Sequence, residues 1–156
     1  MVTTRFALAP IPDYKSRLPS RSYVLFDGKQ TGLVLEGTML KHQFETYSGF
    51  LLWLTFDPAL NNSLQLYLLS PGVTVLDVRS IAGSQISSDS LTSLFETGDD
   101  CFQFTFFHHW QLRVLKTPRF QIIRRACEWG EAVPSSIHHT AFFARRYLEL
   151  RRAPGI

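Results

Sequence analysis

The residues of this 156-residue chain that could carry out covalent chemistry are grouped around Cys101. Asp99 and Asp100 precede this cysteine and His108 follows it, so an acid, a thiol and an imidazole occur within one short segment. A thiol acts as a nucleophile when a neighbouring base activates it, and an acid can orient that base. Cys101 and His108 therefore define one hypothesis, a small hydrolase. Cys101 also begins an apolar segment, as an unreactive core cysteine does.

The histidines lack the spacing that a metal site needs. They occur as His42 and as two adjacent pairs, His108-His109 and His138-His139. Neutral imidazole is a good metal ligand. However, adjacent side chains point to opposite faces of a strand and diverge by about 100° on a helix. We therefore expect no metal site and no cofactor.

Positive charge is concentrated in the last third of the chain. Residues 1–112 carry seven Lys/Arg and ten Asp/Glu, whereas residues 113–156 carry nine and three. A basic segment can meet an acidic protein, a nucleic acid or a phosphate. Arginines such as Arg119, Arg124 and Arg125, with Trp110 and Trp129 nearby, could combine phosphate contact with base stacking. Nucleic-acid or phosphate-ligand binding is therefore an alternative function.

Length and composition indicate one packed domain. With 156 residues, 45% of them apolar and thirteen phenylalanines, the chain can form a core without a disulfide or a metal. Since there are two cysteines, Cys101 and Cys127, and no secretory signal, we expect reduced thiols in a cytoplasmic protein. No apolar run approaches the ~20 residues of a membrane-spanning helix, so no membrane contact is expected.

Most of the chain alternates apolar and polar residues with the period of two that is typical of β-strands. Asp27-Gly28 favours the positive φ angles of a tight hairpin turn. The pattern predicts a curved, sandwich-like antiparallel sheet of about seven or eight strands. Nine segments are candidates for these strands, with Lys41–Tyr47 the weaker one, and they are Tyr23–Phe26, Leu33–Leu35, Lys41–Tyr47, Phe50–Asp57, Leu64–Leu69, Val73–Arg79, Cys101–Phe107, Trp110–Lys116 and Arg119–Arg125.

Two segments depart from this period and predict helices. Leu91, Leu94 and Phe95 have the i, i+3, i+4 spacing of a short middle helix. Residues 136–152 place their apolar side chains on one stripe at 100° per residue, which predicts an amphipathic C-terminal helix packed on the sheet. The expected fold class is therefore α+β. Residues 1–21 are expected to form an N-terminal arm, and residues 22–156 a single β-rich domain.

Two candidate partner-binding patches follow from these predicted elements. On the predicted C-terminal helix, Phe142 lies on the polar side beside Arg145 and Arg146, and aromatic and arginine side chains are enriched where partners dock. Trp53 and Tyr67 lie opposite the main apolar series of their strands. They would form a second patch if nothing covered that face.

The expected function is a non-enzymatic protein-binding module. It would act as an inhibitor, or as a bacterial immunity protein that neutralises a toxin, by occupying the surface of that toxin or of another effector. Such proteins depend on complementary surfaces and need no reactive groups. A homodimer through the same patches is a further alternative, and nucleic acid ranks below protein as the expected partner.

Overall fold

A computed structural model describes residues 1–15, 18–57, 62–83, 91–122, 131–132 and 143–154. All regular secondary structure in these ranges is β-strand. The prediction of an α+β fold is therefore wrong for the described residues, which form an all-β structure. These ranges accordingly contain no helix with the length and apolar character needed to cross a membrane.

Twelve strands are defined in the described residues, in chain order. They are β1 (Phe6–Pro10), β2 (Arg21–Phe26), β3 (Lys29–Glu36), β4 (Met39–Thr46), β5 (Gly49–Thr55), β6 (Ser63–Leu69), β7 (Val75–Ala82), β8 (Thr92–Gly98), β9 (Cys101–Phe106), β10 (His108–Ile122), β11 (Glu131–Ala132) and β12 (Phe143–Arg152).

The strands form three antiparallel sheets that follow the chain from its N-terminus to its C-terminus, except that β11 returns to the edge of the central sheet. The N-terminal sheet has the order β1-β2-β3, and the central sheet has the order β11-β7-β6-β5-β4. The C-terminal sheet has the order β12-β10-β9-β8. The expected antiparallel pairing is thus confirmed, although it is divided among three sheets.

The central sheet is covered on both faces. Side chains of β5 point alternately to the two faces. Leu51 and Trp53 belong to a core shared with the C-terminal sheet, which we call the C-terminal core. Phe50, Leu52 and Leu54 belong to a second core shared with the N-terminal sheet, which we call the N-terminal core. All residues of β5 and β6 are buried. A strand that is buried on both faces is apolar along nearly its whole length, as β5 is. β6 is apolar except at Ser63 and Gln65, and the amide of buried Gln65 donates to Ser80 Oγ at 2.8 Å.

Two tight turns depend on residues that tolerate positive φ. At Asp27-Gly28, φ is 50° and 77°, and Phe26 pairs with Lys29 across the turn. The predicted hairpin turn is therefore confirmed. The turn between β8 and β9 is of the same kind, with φ of 48° at Asp99 and 58° at Asp100. Aspartate enters this backbone region more readily than most residues.

The predicted middle helix is replaced by strand β8, and a bulge explains the misleading spacing. The pairing of β8 with β9 shifts register between Thr92 and Phe95, and Ser93 has a φ of 53°. An extra residue in a strand reverses the alternation of its side chains. As a result Leu91 and Leu94 both pack against the C-terminal core, which mimics the i, i+3 spacing of a helix.

The predicted C-terminal helix is contradicted over residues 143–152, which form β12. This strand pairs with β10 from Trp110 and Arg152 at one end to Ile122 and Phe143 at the other. Within β12, Leu148 and Leu150 are buried while the residues between and after them are not. Residues 143–152 therefore follow the strand period of two, and their pairing with β10 stabilises this conformation. The apolar stripe at helical spacing does not determine their structure.

The expected N-terminal arm is a structural part of two sheets. Phe6 of β1 is buried in the N-terminal core, and the backbone of Thr3 donates to the carbonyl oxygen of Gln43 at 3.1 Å. The amide of Gln43 also bridges the sheets, because its Oε1 accepts from the Phe6 N–H at 2.8 Å and its Nε2 donates to the Phe6 carbonyl at 3.1 Å. A side chain of β4 thus serves as a hydrogen-bonding neighbour for β1.

Candidate binding surface

The outer face of the C-terminal sheet is basic and bears exposed aromatic rings. Its inner face supplies Phe102, Phe104, Trp110, Leu112 and Leu148 to the C-terminal core. Since side chains alternate along a strand and cross-strand partners share a face, the residues between these point outward. We call this outer surface the basic face, and it comprises Phe95, Gln103, Gln111, Arg113, Phe120, Arg145, Glu149 and Arg151. Arg119 has the buried Arg146 as its cross-strand partner, but its exposed guanidinium reaches this face through an ion pair with Glu149, and we include it on that basis.

One carboxylate holds several arginines of the basic face together. Glu149 Oε1 accepts a short ion-paired hydrogen bond from Arg119 Nη1, and it lies 3.9 Å from Arg151 Nη2. Arg113 is the direct cross-strand partner of Glu149. The Glu149 side chain is 19% exposed, whereas those of Arg119 and Arg151 are 65% and 72% exposed. The guanidinium groups therefore present positive charge to solvent above a recessed carboxylate.

Two phenylalanines of the basic face are largely exposed. Phe95 on β8 is 63% exposed and Phe120 on β10 is 70% exposed. Arg145, the cross-strand partner of Phe120, places its guanidinium carbon 5.8 Å from the centre of that ring. Exposed aromatic rings beside arginines are typical of surfaces that bind a partner.

A row of four side chains crosses the basic face at right angles to the strands. The register places Phe95 beside Gln103, Gln103 beside Gln111, and Gln111 beside Arg151. With strands about 4.8 Å apart, the row is roughly 14 Å long. It presents an aromatic ring, two amides and a guanidinium in sequence, which can stack, donate and accept hydrogen bonds, and bind an anion.

Among the predicted site residues, Arg145 is exposed on this face, but Arg146 is not. Arg146 is buried, and its Nη1 lies 3.0 Å from Asp77 Oδ1 in the central sheet. Asp77 Oδ2 also accepts from the backbone N–H groups of Tyr147 and Leu148, at 2.8 and 2.9 Å. Arg146 therefore connects the central and C-terminal sheets and does not face a partner.

The second predicted patch is absent from the surface. Trp53 is fully buried in the C-terminal core, where its ring meets that of Phe104 at 4.7 Å between centroids. Tyr67 is buried in the N-terminal core, and its hydroxyl accepts from the Glu36 N–H at 3.1 Å. Burial raises the pKa of Tyr67 to about 12. The C-terminal and N-terminal sheets cover the two faces of the central sheet, one of which a C-terminal helix was expected to cover.

Phe142, the remaining predicted site residue, lies outside the described residues.

Cys101 and His108 are not brought together. Cys101 pairs with Arg113 at one end of β9, and His108 pairs with Phe106 at the other end. Cys101 and Phe106 are five residue steps apart along β9, which corresponds to roughly 17 Å. The thiol of Cys101 contacts the carbonyl oxygen of Asp99 at 3.7 Å. The geometry of a thiol–imidazole pair, as the hydrolase alternative requires, is therefore not formed.

No group of three or more His, Cys, Asp or Glu side chains in the described ranges is arranged to hold a metal ion. His109 instead shares a hydrogen bond with Thr105, with 3.0 Å between Nδ1 and Oγ1. His42 packs edge-on against Trp53, with the ring centroids 6.4 Å apart.

Sequence reasoning missed Phe95, Gln103, Gln111 and Arg113 as members of one surface. Phe95 was assigned to a helix, because the bulge in β8 obscures its alternation. The other three alternate with core residues in β9 and β10, so their outward direction was readable from the sequence. Their adjacency depends on strand register, which the sequence alone does not specify.

No protein-family model matches this sequence, and neither the search of curated proteins nor that of solved structures returns a match. Inferences about function therefore depend on the basic face itself.

Proposed function

We propose that this chain is a non-enzymatic binding module that holds an anionic macromolecule on the basic face. The observation that carries the proposal is the composition of this face, in which four arginines share two neighbouring strands with one carboxylate that ion-pairs with two of them. Arg113, Arg119, Arg145 and Arg151 lie on two neighbouring strands with Glu149 among them. A surface with one dominant sign of charge attracts an oppositely charged partner and orients it during encounter.

Shape and rigidity support the same proposal. The basic face is the outside of a sheet whose other side is a packed core, so its side chains are displayed on a scaffold that need not reorganise on binding. The ion pairs of Glu149 restrain Arg119 and Arg151 near one another.

The toxin-neutralising or inhibitory role expected from the sequence is one form of this proposal. The partner would then be a protein with an acidic surface, and exposed Phe120 beside Arg145 would be the centre of the contact. We place the protein in the cytoplasm within this proposal, as its cysteine content led us to expect.

The test is retention of a partner from the lysate of the source organism by the tagged full chain, at low and high ionic strength. The variant Arg113→Ala/Arg151→Ala removes two charges from the basic face. The matched control, Arg21→Ala/Lys29→Ala, removes two charges from exposed positions of the N-terminal sheet. We expect the control to retain the partner and the basic-face variant to lose it. Equal retention by both variants would refute the proposed surface.

A further inference from the structure

We infer that the anionic macromolecule held by the basic face is a single strand of nucleic acid. In this arrangement the arginines bind phosphates and the rings of Phe95 and Phe120 stack on bases. The inference rests on the proposed function and specifies its ligand, so it can fail while the proposed surface stands.

The exposed aromatic rings are the first reason to prefer nucleic acid. Phe95 and Phe120 are 63% and 70% exposed, so their ring faces are open to a ligand. Every base has a flat face, and base–aromatic stacking combined with a basic groove is a common mode of single-strand binding. A single strand offers flat faces and negative charges in alternation, which matches rings and arginines that lie on the same sheet face.

The row from Phe95 to Arg151 supplies the other groups that such a ligand needs. Gln103 and Gln111 lie between the ring and the guanidinium, and each amide can both donate and accept. Bases that are splayed on a sheet are recognised through the hydrogen-bonding edges that a duplex conceals. The row can therefore stack one base, contact the edges of the next and bind a phosphate at its far end.

The distribution of charge favours a ligand with repeated negative groups. Arg113, Arg119, Arg145 and Arg151 all lie on β10 and β12, whereas Phe95 lies on β8 at the opposite edge of the sheet. Phe120 lies on β10 beside Arg145, so the charged side also offers a ring for stacking. A single strand that crosses the sheet from β12 to β8 would have its phosphates over the arginines at one end and a base over Phe95 at the other.

The width of the basic face argues against a duplex ligand. Its four strands extend over about 14 Å before side chains are counted, whereas the major groove of B-DNA is about 12 Å wide. A four-stranded sheet is too wide to enter that groove, and the base faces of a duplex are not available for stacking. We therefore expect a preference for single strands.

The experiment is fluorescence anisotropy of labelled oligothymidylate and oligouridylate, each of about 12 nucleotides, which lies within the site sizes of single-strand-binding sheets. A duplex of the same length is measured in parallel. We expect the full chain to bind at least one single strand about tenfold or more tightly than the duplex. The comparison of thymidylate with uridylate identifies DNA or RNA as the preferred source of the strand.

Variants separate stacking from simple charge attraction. Phe95→Leu and Phe120→Leu should each weaken binding roughly tenfold, whereas Phe95→Tyr should retain it because the ring is kept. Tyr23→Ala, at an exposed aromatic on the outside of the N-terminal sheet, should have no effect.

Arg113→Ala/Arg151→Ala should reduce the slope of log affinity against log salt by about 1.4, the value for two phosphate contacts on a single strand. Circular dichroism should show all variants folded.

The outcomes distinguish the two proposals. If the oligonucleotides do not bind, or if the phenylalanine variants bind as well as the wild type, the nucleic-acid inference is overturned. If a protein partner is meanwhile retained from lysate through the arginines, the proposed binding surface still stands. If an oligonucleotide binds but the basic-face arginines do not matter, both the surface and the inference are wrong.

Discussion

Glu149 is the residue at which one substitution should strengthen binding. Its carboxylate is ion-paired with Arg119 and lies 3.9 Å from Arg151 Nη2. An incoming anion must therefore compete with this carboxylate for the two guanidinium groups. We expect Glu149→Gln to increase affinity for a single-stranded oligonucleotide by up to about fivefold, since exposed ion pairs contribute roughly 0.2–1 kcal/mol. Anisotropy titrations measure this change. Glu45→Gln on β4 is the control for net charge, and an equal gain in both variants would contradict a specific role for Glu149.

His42 should make stability depend on pH in the acid range. Partial burial and, secondarily, the charge of Lys41 lower the pKa of His42 below its ordinary value of 6.5. As the pH falls below that value, the unfolded chain takes up a proton before the folded protein does, so stability decreases. We expect the wild type to lose more stability between pH 7 and 5 than His42→Gln does. Urea midpoints at both pH values measure the difference, and parallel losses in the two proteins would contradict it.

At the residue scale, Arg145 was identified by sequence reasoning as exposed, whereas Arg146 was misplaced. Adjacent residues of a strand point to opposite faces, so one of these two arginines had to point inward once the segment was extended. A buried arginine is stable here because Asp77 is present, and Asp77 lies 69 residues away in the sequence. No local pattern could reveal that partnership.

At the scale of elements, the connection between β7 and β12 depends on a buried ion pair. Asp77 binds Arg146 through Oδ1 and accepts two backbone N–H groups of β12 through Oδ2. We expect Asp77→Asn to lower the free energy of unfolding by about 3–5 kcal/mol, because it leaves a buried guanidinium without its counter-charge. Arg146→Met should cost less, since the carboxylate keeps its backbone donors.

Urea unfolding of Asp77→Asn, Arg146→Met and the double variant measures these effects. The double variant should be more stable than Asp77→Asn alone, because it no longer buries an unpaired charge. Additive losses would show that the two side chains act independently and would refute the pairing.

Elements were predictable from the sequence where one local signal was sufficient. The short apolar runs of β5 and β6, the alternation in β9 and the Asp27-Gly28 turn each specify their own structure. The errors arose at β8 and β12, where a bulge and a long-range pairing change the apparent period. Both are consequences of contacts with distant strands, and a single sequence does not display them.

For the molecule as a whole, β5 and β6 belong to both cores, so neither core can be lost without exposing them. We expect one cooperative unfolding transition. Backbone amides of β5 and β6 should exchange with deuterium only through global unfolding, whereas those of the exposed and irregular β8 should exchange faster. Native-state hydrogen exchange resolves this order. Faster exchange in β5 than in β8 would contradict the central role of the middle layer.

The three-layer arrangement itself was not predictable. Apolar residues on both faces of β5 indicated cover on both sides, but a helix and a second sheet can each provide it. Which of the two covers this face depends on whether residues 143–152 form a helix or a strand. Pairing with β10 makes them a strand, so a sheet provides the cover. The same error explains why Trp53 and Tyr67 were considered as surface residues.

The doubly buried strands also have a consequence for the newly made chain. Until the outer sheets assemble, β5 and β6 present long, uncharged, β-prone segments, the type of sequence from which intermolecular aggregates grow. Since these strands have no charged side chain on either face to discourage such association, protection comes from rapid cover by the two flanking sheets. The strands that stabilise the finished fold are thus also the ones that make its synthesis sensitive to protein concentration and to chaperones.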